Sequence, residues 1–211
     1  MRFTTLLIDL DDTLYPASCG LWAAIRNRID LYMATKFGLS YAEAGELRMN
    51  LFRQYGTTLR GLQAMYQVDE EEYLAFVHDV PLETFIQADP SLRQALLSFP
   101  QRKVIFTNAD SAHAQRVLKA GGLDGLFEQI IDIHTFEPFC KPMPEAFRIA
   151  IDLLGEEAQR CVLVDDALPN LLTANTLGMH TIWISGSPAP SPINAAIPAL
   201  SDLPQVLSLK M

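Results

Sequence analysis

The chain has 211 residues, 49% hydrophobic and 19% charged, which suits one large domain or a core with a modest insert and excludes wholesale disorder. Its formal charge of -9 excludes a general binder of nucleic acid polymers, because such a protein needs a basic face. No apolar run reaches about 18 residues, so no membrane-spanning helix is expected.

Thr5-Leu6-Leu7-Ile8 is a short apolar run that ends in Asp9-Leu10-Asp11-Asp12. Residues 17–88 then contain no strand-like run. Trp22, Ile25, Ile29 and Tyr32 form one helical stripe. Ser40 with Glu43 reads as a capping box ahead of Ala44, Leu47, Leu51 and Tyr55. Leu59, Leu62 and Tyr66 predict a third helix. Asp69 with Glu72 reads as a second capping box, ahead of Tyr73, Phe76, Val77 and Val80.

From residue 89 onward, strands and helices alternate. Asp89 and Pro90 predict the start of a helix carrying Leu92, Ala95 and Leu96. A strand at Val104-Ile105-Phe106 ends in Thr107-Asn108, and Asp110 caps a helix that stops at Gly121-Gly122. A strand at Ile130-Ile131-Asp132-Ile133 leads to a helix after Pro144 that ends at Gly155. Cys161-Val162-Leu163-Val164 ends in Asp165-Asp166, with a helix from near Leu168 to Gly178. Thr181-Ile182-Trp183-Ile184 is the last predicted strand. Residues 188–198, rich in Pro, Ala and Ser, read as a surface connection before a short helix near Leu203.

Apolar strands without alternation are buried on both faces, as in a parallel sheet. The expected fold class is therefore α/β: a Rossmann-like parallel sheet with right-handed crossovers and an inserted all-helical cap. The expected domains are a core of residues 1–16 and 89–211 and a cap of residues 17–88.

In open α/β sheets, ligands bind outside the carboxyl ends of strands. Asp9 and Asp11, one residue apart on extended backbone, point the same way. Asp165 and Asp166 end a second strand. Four carboxylates around one spot repel each other unless a cation or a shared proton relieves them, and a hard cation such as Mg²⁺ prefers oxygen ligands. Helix capping accounts for either acidic pair alone more readily than for both. Thr107 and Asn108 end a third strand before a helix, which is an anion-site arrangement. Lys141 lies in Cys140-Lys141-Pro142, ahead of another helix. Together these parts specify phosphoryl transfer. Asp9 is the nucleophile that forms an aspartyl-phosphate, and Asp11 is the general acid and base. Mg²⁺, Lys141 and Thr107 neutralise phosphoryl charge.

The chain resembles the haloacid dehalogenase superfamily of phosphohydrolases. The resemblance rests on Asp9-x-Asp11-x-Thr13-Leu14, Thr107, Lys141 and Asp165-Asp166-x-x-x-Asn170, in that order. The helical insert looks like that superfamily's type 1 cap. The resemblance implies Mg²⁺ held by the Asp9 side chain, the Asp11 backbone carbonyl and Asp166, with Asp165 assisting. Leu14-Tyr15-Pro16, Tyr55-Gly56-Thr57, Gly61-Leu62, Phe106-Thr107-Asn108-Ala109, His113-Ala114, Cys140-Lys141-Pro142 and Val164-Asp165-Asp166 look like the pyrimidine 5'-nucleotidase subgroup. That subgroup implies nucleoside 5'-monophosphates as substrates. Ala167 and Pro169 depart from its pattern, where Ser follows the acidic pair.

Tyr15, Trp22, Arg26, Arg60 and His113 are candidates to recognise the rest of the substrate. Core packing competes for Trp22, solvated helix faces for Arg26 and Arg60, and a surface or packing role for His113. A phosphomutase of the same superfamily and a non-enzymatic receiver-like domain remain alternatives. The expected partner is a small phosphorylated metabolite, with no nucleic acid polymer and no membrane, for a monomer or homodimer. The N-terminus lacks the basic start and apolar core of a secretory signal. Cys19, Cys140 and Cys161 lack metal-type spacing, so a reduced, cytoplasmic protein is expected.

Overall fold

The computed structural model describes residues 3–207. Six strands form one parallel sheet: β1 (Thr5–Ile8), β2 (Arg102–Phe106), β3 (Gln129–Ile131), β4 (Cys161–Asp165), β5 (His180–Ile184) and β6 (Ala195–Ile197). Their spatial order is β3-β2-β1-β4-β5-β6. This is the order of a doubly wound Rossmann-like sheet, with its switch point between β1 and β4. β1 and β4 are buried along their whole length, which explains their unbroken apolar sequences. β1 pairs Ile8 with Ile105 on one side and with Val164 on the other. The residues that follow those three positions therefore emerge side by side at one edge of the sheet.

Between β1 and β2 lie four helices of the insert, α1 (Leu21–Phe37), α2 (Tyr41–Tyr55), α3 (Thr58–Tyr66) and α4 (Glu70–Val77), followed by α5 (Pro90–Leu97). Ser40 and Glu43 form the expected reciprocal capping box on α2. Asp69 caps α4 through the Glu72 amide, which is half of the expected box. The remaining helices are α6 (Ser111–Ala120), α7 (Pro144–Leu154), α8 (Leu168–Thr176) and α9 (Leu203–Val206). One buried apolar cluster runs from Leu6, Leu7 and Ile8 of the sheet into Ile25, Leu51 and Leu62 of the insert. Insert and sheet thus share a core.

Three sequence expectations need correction. Residues 188–198 are not wholly a surface connection, because Ala195–Ile197 adds a sixth strand beside β5. α4 stops at Val77, with His78 as its C-cap, before Val80. The third strand spans Gln129–Ile131 and leaves Asp132 and Ile133 outside it. Among the described residues, no helix is long and apolar enough to cross a membrane.

Candidate active site

β1, β2 and β4 deliver their last residues to one place. Asp9 follows β1 and its amide donates to the Val164 carbonyl at 3.0 Å, which locks it against β4. Carboxylate oxygens of Asp9, Asp165 and Asp166 lie within 4.8 Å of one another. Lys141 enters from the loop before α7. The residue is 2% exposed, and its ammonium donates to Asp9 Oδ1 at 2.6 Å, Asp165 Oδ2 at 2.9 Å and the Phe106 carbonyl at 2.8 Å. Burial alone would lower the Lys141 pKa, but Asp165 and Asp9 outweigh it and raise it above the ordinary lysine value. The group is a fixed cation.

One ammonium does not balance three carboxylates. Burial raises the Asp9 pKa, Lys141 pulls it down, and Asp165 and Asp166 raise it again. Asp166 is pushed up to about 6 by burial and by the negative charges of Asp165 and Asp12. Surplus negative charge on oxygen donors is the chemistry that a hard divalent cation relieves, so these residues fit Mg²⁺.

Asp165 and Asp166 divide the labour. Asp165 is fully buried, and both its oxygens accept from Asn170 Nδ2 at 3.0 Å. Its Oδ1 also accepts from the Ala167 amide at 2.9 Å. Asn170 and a backbone amide thus support Asp165 at the loop where Ala167 replaces the expected Ser. Asp166 is half-buried, and its carbonyl accepts from Trp183 Nε1 at 2.8 Å. Thr13 Oγ1 reaches Asp166 Oδ1 at 3.5 Å.

Thr107, 1% exposed, follows β2 and accepts the Ala109 amide at 3.0 Å, which leaves its hydroxyl proton free to donate. Asn108 sits beside it but faces elsewhere. Its carboxamide donates to the Lys141 carbonyl at 3.0 Å and accepts the Lys141 amide at 2.8 Å. The side chain expected to bind phosphate instead holds the lysine loop.

Asp11 corrects a second expectation. Its carboxylate does not join the three others. Asp11 Oδ1 accepts from Tyr15 Oη at 2.5 Å and lies 3.3 Å from His113 Nε2. Both contacts fall on one oxygen, Oδ1. Burial would raise the Asp11 pKa, but these two hydrogen bonds and nearby imidazole charge bring it below the ordinary carboxylate value.

The candidate recognition residues fare unevenly. Tyr15 is buried with its hydroxyl on Asp11, so it is not an open stacking platform. His113 is 1% exposed and also faces Asp11. Trp22 is half-buried against the shared core, as the packing reading expects. Arg26 is exposed. Arg60 is not a solvated helix face. It is 6% exposed, and it donates to the Ile133 carbonyl at 2.7 Å, the Phe139 carbonyl at 3.1 Å, Gln63 at 2.7 Å and Glu70 at 3.1 Å. It clamps α3 to the loop that carries Lys141 and is not free to meet a leaving group. Sequence reasoning missed His78, which stacks on His113 with ring centroids 4.1 Å apart. A lone His after a helix carries no motif that would have singled it out.

A family model for haloacid dehalogenase-like hydrolases matches residues 3–178. The chain belongs to that family. Among similar proteins, Phosphate metabolism protein 8 of Saccharomyces cerevisiae is 28% identical over 192 residues, covering 83% of this chain and 60% of its own length. This chain therefore spans less than two thirds of the yeast protein. Glyceraldehyde 3-phosphate phosphatase of Pyrococcus abyssi is 25% identical over 190 residues, 84% of this chain and 79% of its own. The HAD phosphatase from Thermococcus onnurineus shares the fold, with a TM-score of 0.66 at 21% identity over 98% of each chain. The family is one of hydrolases, and phosphatases are among the proteins this chain is similar to.

Proposed function

We propose that the chain is a Mg²⁺-dependent phosphomonoesterase that works through an aspartyl-phosphate on Asp9. The observation that carries this reading is the buried Lys141 ammonium between Asp9 and Asp165, with Asp166 in the same cluster and Asp11 held just outside it. A carboxylate pinned by a fixed cation is oriented to attack phosphorus rather than to wander as a solvated acid.

An Asp9 oxygen forms the new bond to phosphorus as the ester P–O bond breaks. Asp11 is ionised before substrate arrives, so its Oδ2 takes up the proton that the monoanionic phosphate ester brings in and passes it to the departing alkoxide. Asp11, ionised again, takes a proton from water, and that water attacks the aspartyl-phosphate. The bond from phosphorus to Asp9 breaks, inorganic phosphate leaves and Asp9 is restored. The Thr107 hydroxyl donates to a phosphoryl oxygen, and the Lys141 positive charge beside Asp9 offsets the phosphoryl charge. Asp9, Asp166 and the Asp11 carbonyl would hold Mg²⁺, with Asp165 assisting, and the bound ion would supply Lewis-acid neutralisation of phosphoryl charge.

The substrate class follows from the motifs shared with pyrimidine 5'-nucleotidases, so UMP and CMP stand first. The Pyrococcus relative's name adds glyceraldehyde 3-phosphate to the set worth testing. Purified protein should release inorganic phosphate from members of a panel of UMP, CMP, glyceraldehyde 3-phosphate and p-nitrophenyl phosphate when Mg²⁺ is present. EDTA and Asp9→Ala should abolish release. Full activity in either condition refutes the mechanism, and phosphate returned to an organic product rather than freed indicates a phosphomutase.

A further inference from the structure

Asp11 is reached from the helical insert by a chain of buried contacts. His113 Nε2 lies 3.3 Å from Asp11 Oδ1. Its other ring nitrogen, Nδ1, is buried and meets no protein hydrogen-bond partner among the described residues. One long hydrogen bond at one end of a ring leaves that ring free to tilt. What limits the tilt is a second imidazole. The His78 ring lies 4.1 Å from the His113 ring at an interplanar angle of 15°, a stacked arrangement.

His78 is in turn held from two sides. Its Nδ1 is 2.6 Å from Asp110 Oδ2. Arg116 donates to the His78 carbonyl at 2.8 Å and to the Val80 carbonyl at 2.7 Å. Asp110 also accepts the His113 amide at 2.7 Å through Oδ1, so one carboxylate fixes both the His78 ring and the His113 backbone. Burial opposes the Asp110 charge, yet the His78 hydrogen bond and the amide keep its carboxyl well below the usual range. Asp110 is therefore ionised, and His78 Nδ1 is the donor. None of this is needed merely to cap α6, which the Asp110 bond to the His113 amide does alone.

We propose that His78, contributed by the insert, is a positioning residue for the general acid: its ring face holds His113, and His113 with Tyr15 keeps Asp11 Oδ2 turned toward the leaving group. This rests on the phosphatase reading and extends it by assigning a function to a residue 67 positions from Asp11 in the chain. Tyr15 lies at the exit from the site toward the insert and His78 lies at the far end of α4. The acid is thus held by Tyr15, just ahead of the insert, and through His113 by His78 within it.

Leaving groups separate positioning from folding. An alkyl ester such as UMP needs the proton from Asp11, whereas p-nitrophenolate departs with little help. The test compares kcat/KM for UMP and p-nitrophenyl phosphate in wild type, His78→Asn and His78→Phe, with thermal melting of each. Asn keeps a donor for Asp110 but removes the ring. Phe keeps the ring face but removes the donor. The ratio of UMP to p-nitrophenyl phosphate kcat/KM should fall about 10-fold or more in His78→Asn and return toward wild type in His78→Phe, even though the Phe variant melts lower. An unchanged ratio in His78→Asn overturns the assignment, as does an equal loss on both esters. A wild-type protein inactive on every ester removes the phosphatase reading and this inference with it.

Discussion

Asp11 and Asp166 carry opposite electrostatic signatures although both end a strand with acids. Two hydrogen bonds on one oxygen stabilise the Asp11 carboxylate, whereas Asp166 is crowded by burial, Asp165 and Asp12 and is pushed up to about 6. The proposed acid/base role of Asp11 predicts that Asp11→Asn lowers kcat by about 10²- to 10⁴-fold while KM moves little, because the proton matters in the transition state. Steady-state kinetics on UMP checks this, and an unchanged kcat contradicts it. For Asp166 the sign runs the other way. A raised pKa means the side chain is protonated below about 6, and a metal must displace that proton. Apparent Mg²⁺ affinity should therefore weaken by about tenfold per pH unit below that point. A Mg²⁺ titration that is flat from pH 7 to pH 5 contradicts the prediction. The clustering of Asp9, Asp165 and Asp166 was legible in the sequence because charge at the end of an apolar strand is rare and strand ends converge, whereas Lys141, in a loop, was singled out only by its Cys140-Lys141-Pro142 setting and the family resemblance. Asn108, Tyr15 and Arg60 were misread because neighbours in sequence do not reveal which way a side chain turns.

The helical insert depends on a few buried polar joints to its surroundings. Arg60 is the main one on α3. Its truncation strands Glu70 and two carbonyls in a buried setting. Arg60→Ala should cost about 3 kcal/mol in denaturant unfolding. Arg60→Lys should recover little of this, because an ammonium lacks the planar fork. Wild-type stability in Arg60→Ala would show that the clamp contributes nothing. Asp132 is a comparable joint between the end of β3 and α6. It accepts from the Ser111 amide and hydroxyl at 2.9 and 2.6 Å and from the Thr135 amide and hydroxyl at 3.1 and 2.8 Å. Burial raises its pKa, but these hydrogen bonds win and lower it. A carboxyl lowered in the folded state adds stability that is complete above its unfolded pKa of about 4 and is lost as pH falls through the folded value. Asp132→Asn should therefore cost about 2 kcal/mol at pH 7, and the gap to wild type should close as pH drops below about 4. A constant gap from pH 7 to pH 3 would falsify that account. Most elements were readable from periodicity and caps. The edge strand β6 was not, because Ala-Ala-Ile has weak strand preference and its conformation comes from pairing with β5.

Sheet and insert pack as one body around the site. Their cores merge, and Asp9 is only 7% exposed. The α/β class and the helical insert were both visible in the sequence, since unbroken apolar strands and residues 17–88 without strand patterning are whole-chain signals. The link from the insert to Asp11 through His78 was not visible, because it joins residues far apart in the chain by a ring stack and a shared Asp110 carboxylate. Transient phosphorylation of Asp9 is the claim on which the mechanism stands. Protein mixed with UMP labelled in its phosphate, in Mg²⁺, should be acid-quenched during turnover and digested for peptide mapping. A label on the Asp9 peptide, released by hydroxylamine and absent in EDTA, is the predicted result. Steady turnover with no labelled peptide, or with the label on another residue, contradicts it.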